Sequence, residues 1–407
     1  MSLHRVELAW TTTHCQNIVG TFEGPHMPAD PRGLRIGISG SYGGINLGDE
    51  AILHSIVEQL RASLPVREIV VFSRDPQDTL TRHAVDRALA PRDMTREESR
   101  AEVEQLDVLI LGGGGILYDK GLEVYLREVA LAHEARLPVF VYAIGAGPLK
   151  QPESRQLVRE HLTPASLVTV RDRQTLRLLQ DAGVEREIHL TADPALLLQP
   201  KDLNSEMLAR EGLDTNRPLI AFSVREPGPA APDIEADHYQ ALLADTADFT
   251  IDRYDADVAF IAMERAHKDL QQSHAVAARM HNARRAHILR GDYTSHDVLA
   301  LLGRCTFAVG MRLHFLIFAA LQGVPFVALP YASKVTGLIE DLELQMPPLQ
   351  QVSTGRLIAH LDSCWDNRDA LREQIRAQLP ALQERARSTQ RLLVETLAER
   401  SGSRRRA

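Results

Sequence analysis

The stretch LRIGISGSYGGINLGDE, residues 34–50, decides the fold. Its first part, Leu34–Ser39, is a short apolar run of strand type. A glycine-rich turn follows directly and leads into the amphipathic segment Glu50–Ser63. A strand that passes through a glycine turn into a helix is the opening unit of a parallel α/β sheet.

The same alternation of short apolar strands and helical segments repeats along most of the chain. The first series predicts strands at Leu34–Ser39, Glu68–Ser73, Val108–Leu111, Val139–Ala143, Leu167–Val170 and Glu187–Leu190. The rhythm breaks near residues 195–216, and a second series predicts strands at Leu219–Val224, Asp257–Ile261, Ala286–Leu289, Phe307–Val309 and Phe326–Leu329. Two successive series of this kind predict an α/β protein with two Rossmann-like lobes, whose parallel sheets face a cleft.

The predicted domain organisation has four parts. We expect an N-terminal extension at 1–33, a first lobe at 34–200, a second lobe at 201–365, and a C-terminal helix with a basic tail at 366–407. The last part is helix-prone, with Leu371, Ile375, Leu379 and Leu382 at helical spacing. We expect this helical segment to close against one or both lobes and to kink or split at Pro380.

Composition excludes several classes of function. The 407 residues carry a formal net charge of -8, which argues against general affinity for nucleic acid. The basic run Arg404–Arg406 is short and is expected to be a disordered tail. No apolar run approaches the roughly 18 residues of a membrane-spanning helix, and no signal peptide is visible. We therefore expect a cytoplasmic protein whose membrane contact, if any, is peripheral at the inner face.

The three cysteines predict neither a disulfide framework nor a metal site, because Cys15, Cys305 and Cys364 are widely and irregularly spaced. No HExxH motif, paired CxxC or compact carboxylate cluster indicates a metal either. We therefore expect no metal and no cofactor.

Three glycine-rich turns follow predicted strands of the first series. In the first, glycine lets the backbone approach a ligand and the helix start supplies free N–H groups, so Gly44, Asn46 and Asp49 are candidate ligand contacts. Asp49 is also suited to simple helix capping. The other two turns, 112–115 and 145–148, make Gly113, Gly114, Gly115 and Gly145 further candidates, since ligands of open α/β sheets bind beyond the carboxyl ends of strands.

Basic side chains follow the strands of the second series. Arg225 ends the first of them, and Arg312 and His314 follow another at the start of an apolar helix. Lys334 enters a later helix at the same predicted edge, and Arg171 follows a strand of the first series. Arginine offers a planar fork to carboxylate or phosphate, and histidine can deliver a proton near neutral pH. We therefore expect a site for a small anion that has more than one charge.

The motifs GSYGGINLGDEAIL, LGGGGILYD, AIGAGPL, VRDRQT, TADPALLL and GMRLHFLIFAALQGVPFVALPYASKV, taken in this order, resemble the polysaccharide pyruvyl transferase family. They span roughly residues 36–340. The resemblance implies a GT-B-like fold and transfer of the enolpyruvyl carbon of phosphoenolpyruvate onto two hydroxyls of a sugar, which forms a pyruvate ketal. It also implies that Arg225 and Arg312 bind the donor, that His314 is the general acid, and that Lys334 is a second catalytic residue. On this basis we expect the first lobe to be the acceptor side and the second lobe to be the donor side.

The acceptor stays open: the sugar and its hydroxyl pair are not specified, and it can be lipid-linked, nucleotide-linked or polymeric. Neither the oligomeric state nor the role of residues 1–33 follows from the sequence. Two alternative functions remain at this point, namely a GT-B glycosyltransferase that uses a nucleotide sugar and a non-catalytic anion-binding relative. The intact set of Arg225, Arg312, His314 and Lys334 argues against the second alternative.

Overall fold

The computed structural model describes residues 33–44, 46–203, 205–213, 216–226, 235–264, 269–329, 333–346 and 352–404. The predicted N-terminal extension, apart from Gly33, and the predicted tail beyond Arg404 lie outside these residues. Within the described part of the chain, no helix is both long and apolar enough to cross a membrane.

The first lobe is built on a sheet of eight parallel strands. They are β1 (Leu34–Ser39), β2 (Val66–Phe72), β3 (Arg87–Leu89), β4 (Val108–Leu111), β5 (Gly114–Leu117), β6 (Val139–Ala146), β7 (Leu167–Val170) and β8 (Ile188–Leu190). Their order is β3-β2-β1-β4-β6-β7-β8, and β5 pairs with the end of β6. The central strand β4 is completely buried, as expected for a sheet covered on both faces.

The second lobe is built on a sheet of five parallel strands, in the order β11-β10-β9-β12-β13. They are β9 (Leu219–Ser223), β10 (Asp257–Phe260), β11 (Ala286–Ile288), β12 (Phe307–Gly310) and β13 (Phe326–Ala328). Strand order therefore reverses beside the first strand of each lobe. The prediction of two Rossmann-like parallel sheets is confirmed, while the predicted domain boundaries stay a prediction.

Helices connect the strands and cover the sheets. The first lobe has α1 (Leu47–Ser63), α2 (Pro76–Arg82), α3 (Arg96–Val103), α4 (Leu122–Glu134), α5 (Pro152–Leu162) and α6 (Arg173–Asp181). The remaining helices are α7 (Ser205–Glu211), α8 (Ala236–Tyr254), α9 (Asp269–Ala277), α10 (Ser295–Leu302), α11 (Leu313–Leu321), α12 (Ser333–Asp341), α13 (Thr354–Asp366) and α14 (Arg368–Arg404). Short 3₁₀ turns lie at Pro91–Asp93, Pro194–Leu197 and Ala283–Arg285.

Local chemistry explains where the helices near the cleft begin. The Asn46 side chain accepts a hydrogen bond from the Gly48 N–H and caps α1. Asp172 caps α6 in the same way by accepting from the Thr175 N–H. Thr294 and Asp297 form a reciprocal capping box at the start of α10.

Two details of the predicted first lobe are wrong. The strand β3 escapes prediction because it has three residues and includes a charged arginine. Gly114 and Gly115 begin the strand β5 instead of ending a turn, and Gly145 lies inside β6, which extends to Ala146. Strand pairing needs only backbone groups, so glycines can pair there when neighbouring strands hold the register.

The C-terminal helix α14 packs against both lobes. Arg372 Nε donates to the Gly323 carbonyl of the second lobe at 3.2 Å, and Gln390 Nε2 donates to Ser63 Oγ of the first at 2.6 Å. The predicted closing role is confirmed. The helix continues through Pro380, so of the expected kink or split, the split does not occur. Buried Leu382 anchors the following turn, which offsets the one hydrogen bond that proline cannot make.

Candidate active site

A cavity of about 200 Å³ lies between the two lobes, and we call it the cleft cavity. Its lining comes from both lobes, at segments that follow the carboxyl ends of strands in each sheet. The lining residues are Ser41, Gly44, Asn46, Asp49, Arg74, Gly115, Tyr118, Arg171, Arg225, Met263, Glu264, Arg312, Leu313, His314 and Lys334. The lobes meet directly beside it, where the Leu47 N–H donates to the Met263 carbonyl at 2.9 Å.

The cleft cavity brings together most of the residues predicted from sequence. Arg225, Arg312, His314 and Lys334 line it from the second lobe. The lining residues predicted from the first lobe are Gly44, Asn46, Asp49, Gly115 and Arg171. The predicted basic residues therefore share one pocket, while their individual roles stay predictions.

Three predicted glycines do not line the cavity and support its wall instead. A Cβ atom on Gly113 would lie 2.9 Å from the Ile52 side chain, and one on Gly145 would lie 2.9 Å from Arg171 Nε. Gly114 has φ +96, a conformation that favours glycine, and a Cβ there would lie 3.2 Å from Asp49 Oδ1. These glycines leave room for the side chains that do reach the cavity.

His314 lies in the first turn of α11 and packs against the start of α1 from the other lobe. A Cβ atom on Gly48 would lie 1.8 Å from His314 Nδ1, so the imidazole occupies the space that any side chain at position 48 would need. On its other edge, His314 Nε2 is buried and lies 3.4 Å from Asp193 Oδ2. The ring is therefore held between a glycine and a buried carboxylate.

Asp193 joins His314 to Arg171. Arg171 Nη1 donates to Asp193 Oδ2 at 2.7 Å, and both side chains are buried. Burial by itself would raise the pKa of Asp193, but the positive charges of His314 and Arg171 hold the pKa well below its ordinary value. Asp193 is consequently a permanent anion between the side chains of His314 and Arg171.

Arg312 does not face the cavity as an isolated cation. Its Nε donates to Asp269 Oδ2 at 2.7 Å, and its Nη2 donates to Asp269 Oδ1 and to Glu264 Oε2, both at 2.6 Å. Burial raises the pKa of Asp269 even though Arg312 opposes that rise. For Glu264, burial is outweighed by the hydrogen bond and charge of Arg312, which lower its pKa. The guanidinium is thus fixed in orientation by two carboxylates.

Asp49 lies in the first turn of α1, and Asn46 rather than Asp49 caps the helix. The capping role considered for Asp49 is therefore wrong. Burial raises the pKa of the Asp49 carboxyl, and the nearby positive charges of His314, Lys334 and Arg171 only partly oppose this.

Several site residues were not predicted. Arg74 follows β2 at the same sheet edge and donates to Ser41 Oγ at 3.0 Å and Tyr125 Oη at 2.7 Å. Its position after the predicted strand Glu68–Ser73 was a usable signal. No signal of this kind in the sequence marks Asp193 or Asp269, because each contacts its partner only in the folded tertiary structure. In the described ranges, no group of three or more His, Cys, Asp or Glu side chains could hold a metal ion.

The model of the polysaccharide pyruvyl transferase family matches residues 46–333, which is well over half of the chain. The chain belongs to this family. A curated relative, the amylovoran biosynthesis protein AmsJ of Erwinia amylovora, is 19% identical over 394 residues and covers 84% of this chain and 94% of its own. The general function that these matches support is pyruvyl transfer in polysaccharide biosynthesis.

The fold of this pyruvyl transferase family member resembles that of several solved structures. A UDP-N-acetylglucosamine 2-epimerase is 12% identical with a TM-score of 0.63, covering 91% of this chain and 96% of that one. The HepE protein of Anabaena, in complex with UDP and glucose, is 14% identical with a TM-score of 0.58, covering 90% and 100%. The predicted GT-B-like architecture is confirmed, since its neighbours are GT-B glycosyltransferases and epimerases.

Proposed function

We propose that the protein transfers the pyruvyl group of phosphoenolpyruvate to two hydroxyls of one sugar and so forms a pyruvate ketal on a precursor of a cell-envelope polysaccharide or glycolipid. The observation that supports this donor is the charge of the cleft cavity. Five cationic side chains line it, Arg74, Arg171, Arg225, Arg312 and Lys334. Four carboxylates offset part of this charge, those of Asp49 and Glu264 in the lining and those of Asp193 and Asp269 behind Arg171 and Arg312. Phosphoenolpyruvate carries a carboxylate and a phosphate, and such a pair of anions needs several cations.

The size of the cavity is consistent with a small donor. A volume of about 200 Å³ suits a ligand of the size class of phosphoenolpyruvate. Arginine forks suit both the carboxylate and the phosphate, and Lys334 adds a compact charge. The rigid Arg312 is oriented before any ligand binds, which reduces the entropy lost on binding.

The proposed chemistry begins with a proton from His314 to the methylene carbon of the donor, which gives C2 cationic character. A sugar hydroxyl attacks C2, and one C–O bond forms. A second hydroxyl of the same sugar then displaces phosphate, whose leaving charge the cations neutralise. The Asp193 carboxylate lies 3.4 Å from His314 Nε2, where it can orient the imidazole. The proposed reaction requires no cofactor and no metal.

The remaining parts of the proposal concern the setting of the reaction. Phosphoenolpyruvate is a cytoplasmic metabolite, so we place the reaction in the cytoplasm, with peripheral contact to the membrane if the acceptor is lipid-linked. A nucleotide-linked acceptor is equally compatible with the fold, since a similar structure holds UDP. We propose no nucleic-acid partner, because the net charge is -8.

The test combines binding and product analysis. Thermal-shift titration should show stabilisation by phosphoenolpyruvate, and mass spectrometry of methyl glycosides incubated with donor and enzyme should show the gain of a pyruvate ketal. The variant His314→Ala should lose phosphate release, whereas His274→Ala, on the exposed side of α9, should retain it. Stabilisation by nucleotide sugars alone, with glycosyl transfer, would instead establish a glycosyltransferase.

A further inference from the structure

Two adjacent acids at the start of α1 differ sharply in their surroundings. Glu50 is buried and fully engaged: its Oε1 accepts from the Gly43 N–H at 3.0 Å, and its Oε2 lies 2.7 Å from His83 Nε2. Asp49 lines the cleft cavity. Among the residues that the structure describes, no donor forms a hydrogen bond to the Asp49 carboxylate. Glu50 thus has a structural role, while Asp49 presents unused acceptor oxygens to the cavity.

The place of Asp49 is opposite the residues that handle the donor. It belongs to the first lobe, whereas His314 and Lys334 come from the second. Gly48, the residue before Asp49, is the one against which the His314 ring packs, so the two functional groups share one small region. Gly114, with φ +96, leaves the space beside Asp49 Oδ1 free of a side chain.

Comparison with the other carboxylates of the site singles out Asp49 as a proton acceptor. Asp193 is tied to Arg171, and its pKa lies well below the ordinary value. Glu264 is tied to Arg312, and its pKa is also lowered. A carboxylate that already accepts hydrogen bonds from a cation is a weak base. Asp49 has no such partner among the described residues, and burial raises its pKa toward the range where a general base is effective.

We propose that Asp49 is the general base that takes the proton from the first attacking hydroxyl of the acceptor sugar, an inference that rests on the proposed pyruvyl transfer. As the bond between that hydroxyl oxygen and C2 forms, its proton moves to the Asp49 carboxylate, while His314 delivers a proton to the methylene carbon. When the bond from C2 to the phosphate oxygen breaks, Asp49 returns its proton to the departing phosphate. His314 takes the proton of the second hydroxyl. Both residues end in their starting states, and the products are the ketal and hydrogen phosphate.

The assignment also gives the direction from which the first acceptor hydroxyl approaches. The acceptor hydroxyl must approach C2 from the side of Asp49, which is the side of the first lobe. His314, Arg225, Arg312 and Lys334, all of the second lobe, then act on the donor.

The experiment compares Asp49→Asn and Asp49→Glu with the wild-type enzyme and with Asp237→Asn, a control on the exposed surface of α8. Isothermal titration with phosphoenolpyruvate measures donor binding. Ketal formation on a panel of methyl glucosides, galactosides and mannosides, read by mass spectrometry and phosphate release across a pH series, measures catalysis. Wild-type ketal formation tests the proposed function, and the ratio of variant to wild type tests the role of Asp49.

We expect Asp49→Asn to bind phosphoenolpyruvate at least as tightly as the wild type, because a negative charge beside a trianion is removed. Its kcat should fall about 100-fold or more, within the range for loss of a general base. The acidic limb of the kcat/KM profile should vanish in Asp49→Asn and persist, at lower activity, in Asp49→Glu. Asp237→Asn should match the wild type.

Two results would overturn the assignment. One is an Asp49→Asn variant that forms the ketal at near wild-type rate with an unchanged acidic limb. The other is a loss of phosphoenolpyruvate binding equal to the loss of rate, which would make Asp49 a donor-positioning residue. A wild-type enzyme that binds phosphoenolpyruvate and forms no ketal on any glycoside of the panel would count against the proposed function itself.

Discussion

Acidification should weaken the contact between the lobes through a histidine cluster at their interface. His54 of α1 and His296 of α10 come from different lobes, and their ring centroids lie 4.3 Å apart in an edge-to-face arrangement. His83 stands 6.3 Å from His54 on the other side and pairs with Glu50. The cluster is therefore packed into the interface, where an added charge is costly.

The size of the effect follows from His296. Burial lowers the pKa of His296 from 6.5 to about 4, and the neighbouring His54 and Lys201 act in the same direction, with only Asp297 opposing. The unfolded chain keeps the ordinary pKa, so between these two values the unfolded state binds a proton that the folded state does not. The stability that the neutral His296 contributes is therefore complete at pH values above its pKa in the unfolded chain. This contribution is lost as the pH falls toward its pKa in the folded protein. From about pH 7 to about pH 5 the loss is about 2 kcal/mol. Burial also lowers the pKa of His54, which adds in the same sense.

Urea unfolding at a series of pH values measures this loss. The variant His296→Gln keeps a neutral polar side chain of similar length and should remove about 2 kcal/mol of the pH dependence over this range. His274→Gln, on an exposed face of α9, provides the matched control. If His296→Gln showed the same slope of unfolding free energy against pH as the wild type, the buried neutral histidine would not be the cause.

Two further changes test the geometry of the site. Gly48→Ala places a Cβ atom 1.8 Å from His314 Nδ1 and must displace the imidazole, so kcat should fall about 100-fold. In the control Gly355→Ala, the added Cβ meets nothing within 4 Å, so phosphate release should be unchanged. Equal activity of the two variants would contradict the packing argument. Arg312→Met leaves the buried Asp269 without its cation and should lower the free energy of unfolding by about 3 kcal/mol or more. Arg279→Met, which removes an exposed pair with Asp237, should change it by less than about 1 kcal/mol in the same urea titration, and similar losses in both would refute a special role for the buried pair.

The sequence predicts the strands well because buried parallel strands are continuous apolar runs. Leu34–Ser39, Val108–Leu111 and Leu167–Val170 are predicted with their observed bounds, and most other predicted strands differ by one to three residues at one end. The carboxyl ends of these strands also locate the site, since every strand of a parallel sheet points toward the same edge. Where residues pair through backbone alone, as at Gly114–Leu117, side-chain patterns carry no information.

The internal partners of the site could not be predicted in the same way. Asp269 lies 43 residues from Arg312, and Asp193 lies far from His314 along the chain, on the other lobe. An isolated aspartate in a sequence is consistent with a cap, a surface charge or a buried partner. The tertiary packing of the two lobes decides which of these roles an aspartate has. Because of this packing, Arg171 and Arg312, which the sequence predicts as ligand contacts, are also bound by the buried carboxylates of Asp193 and Asp269.

The buried aspartates explain how so many cations can surround one small cavity. Five positive side chains around about 200 Å³ repel one another, and this repulsion would open the cleft or distort the side chains. Asp193 and Asp269, 5% and 0% exposed, offset the charge of Arg171 and Arg312 and fix both guanidinium groups in one orientation. Because each pair forms when the chain folds, the entropy of ordering its two side chains is lost during folding and not when a ligand binds. A site organised in this way is rigid toward the donor, and it leaves Asp49, which accepts no hydrogen bond from the described residues, as the carboxylate best able to exchange a proton.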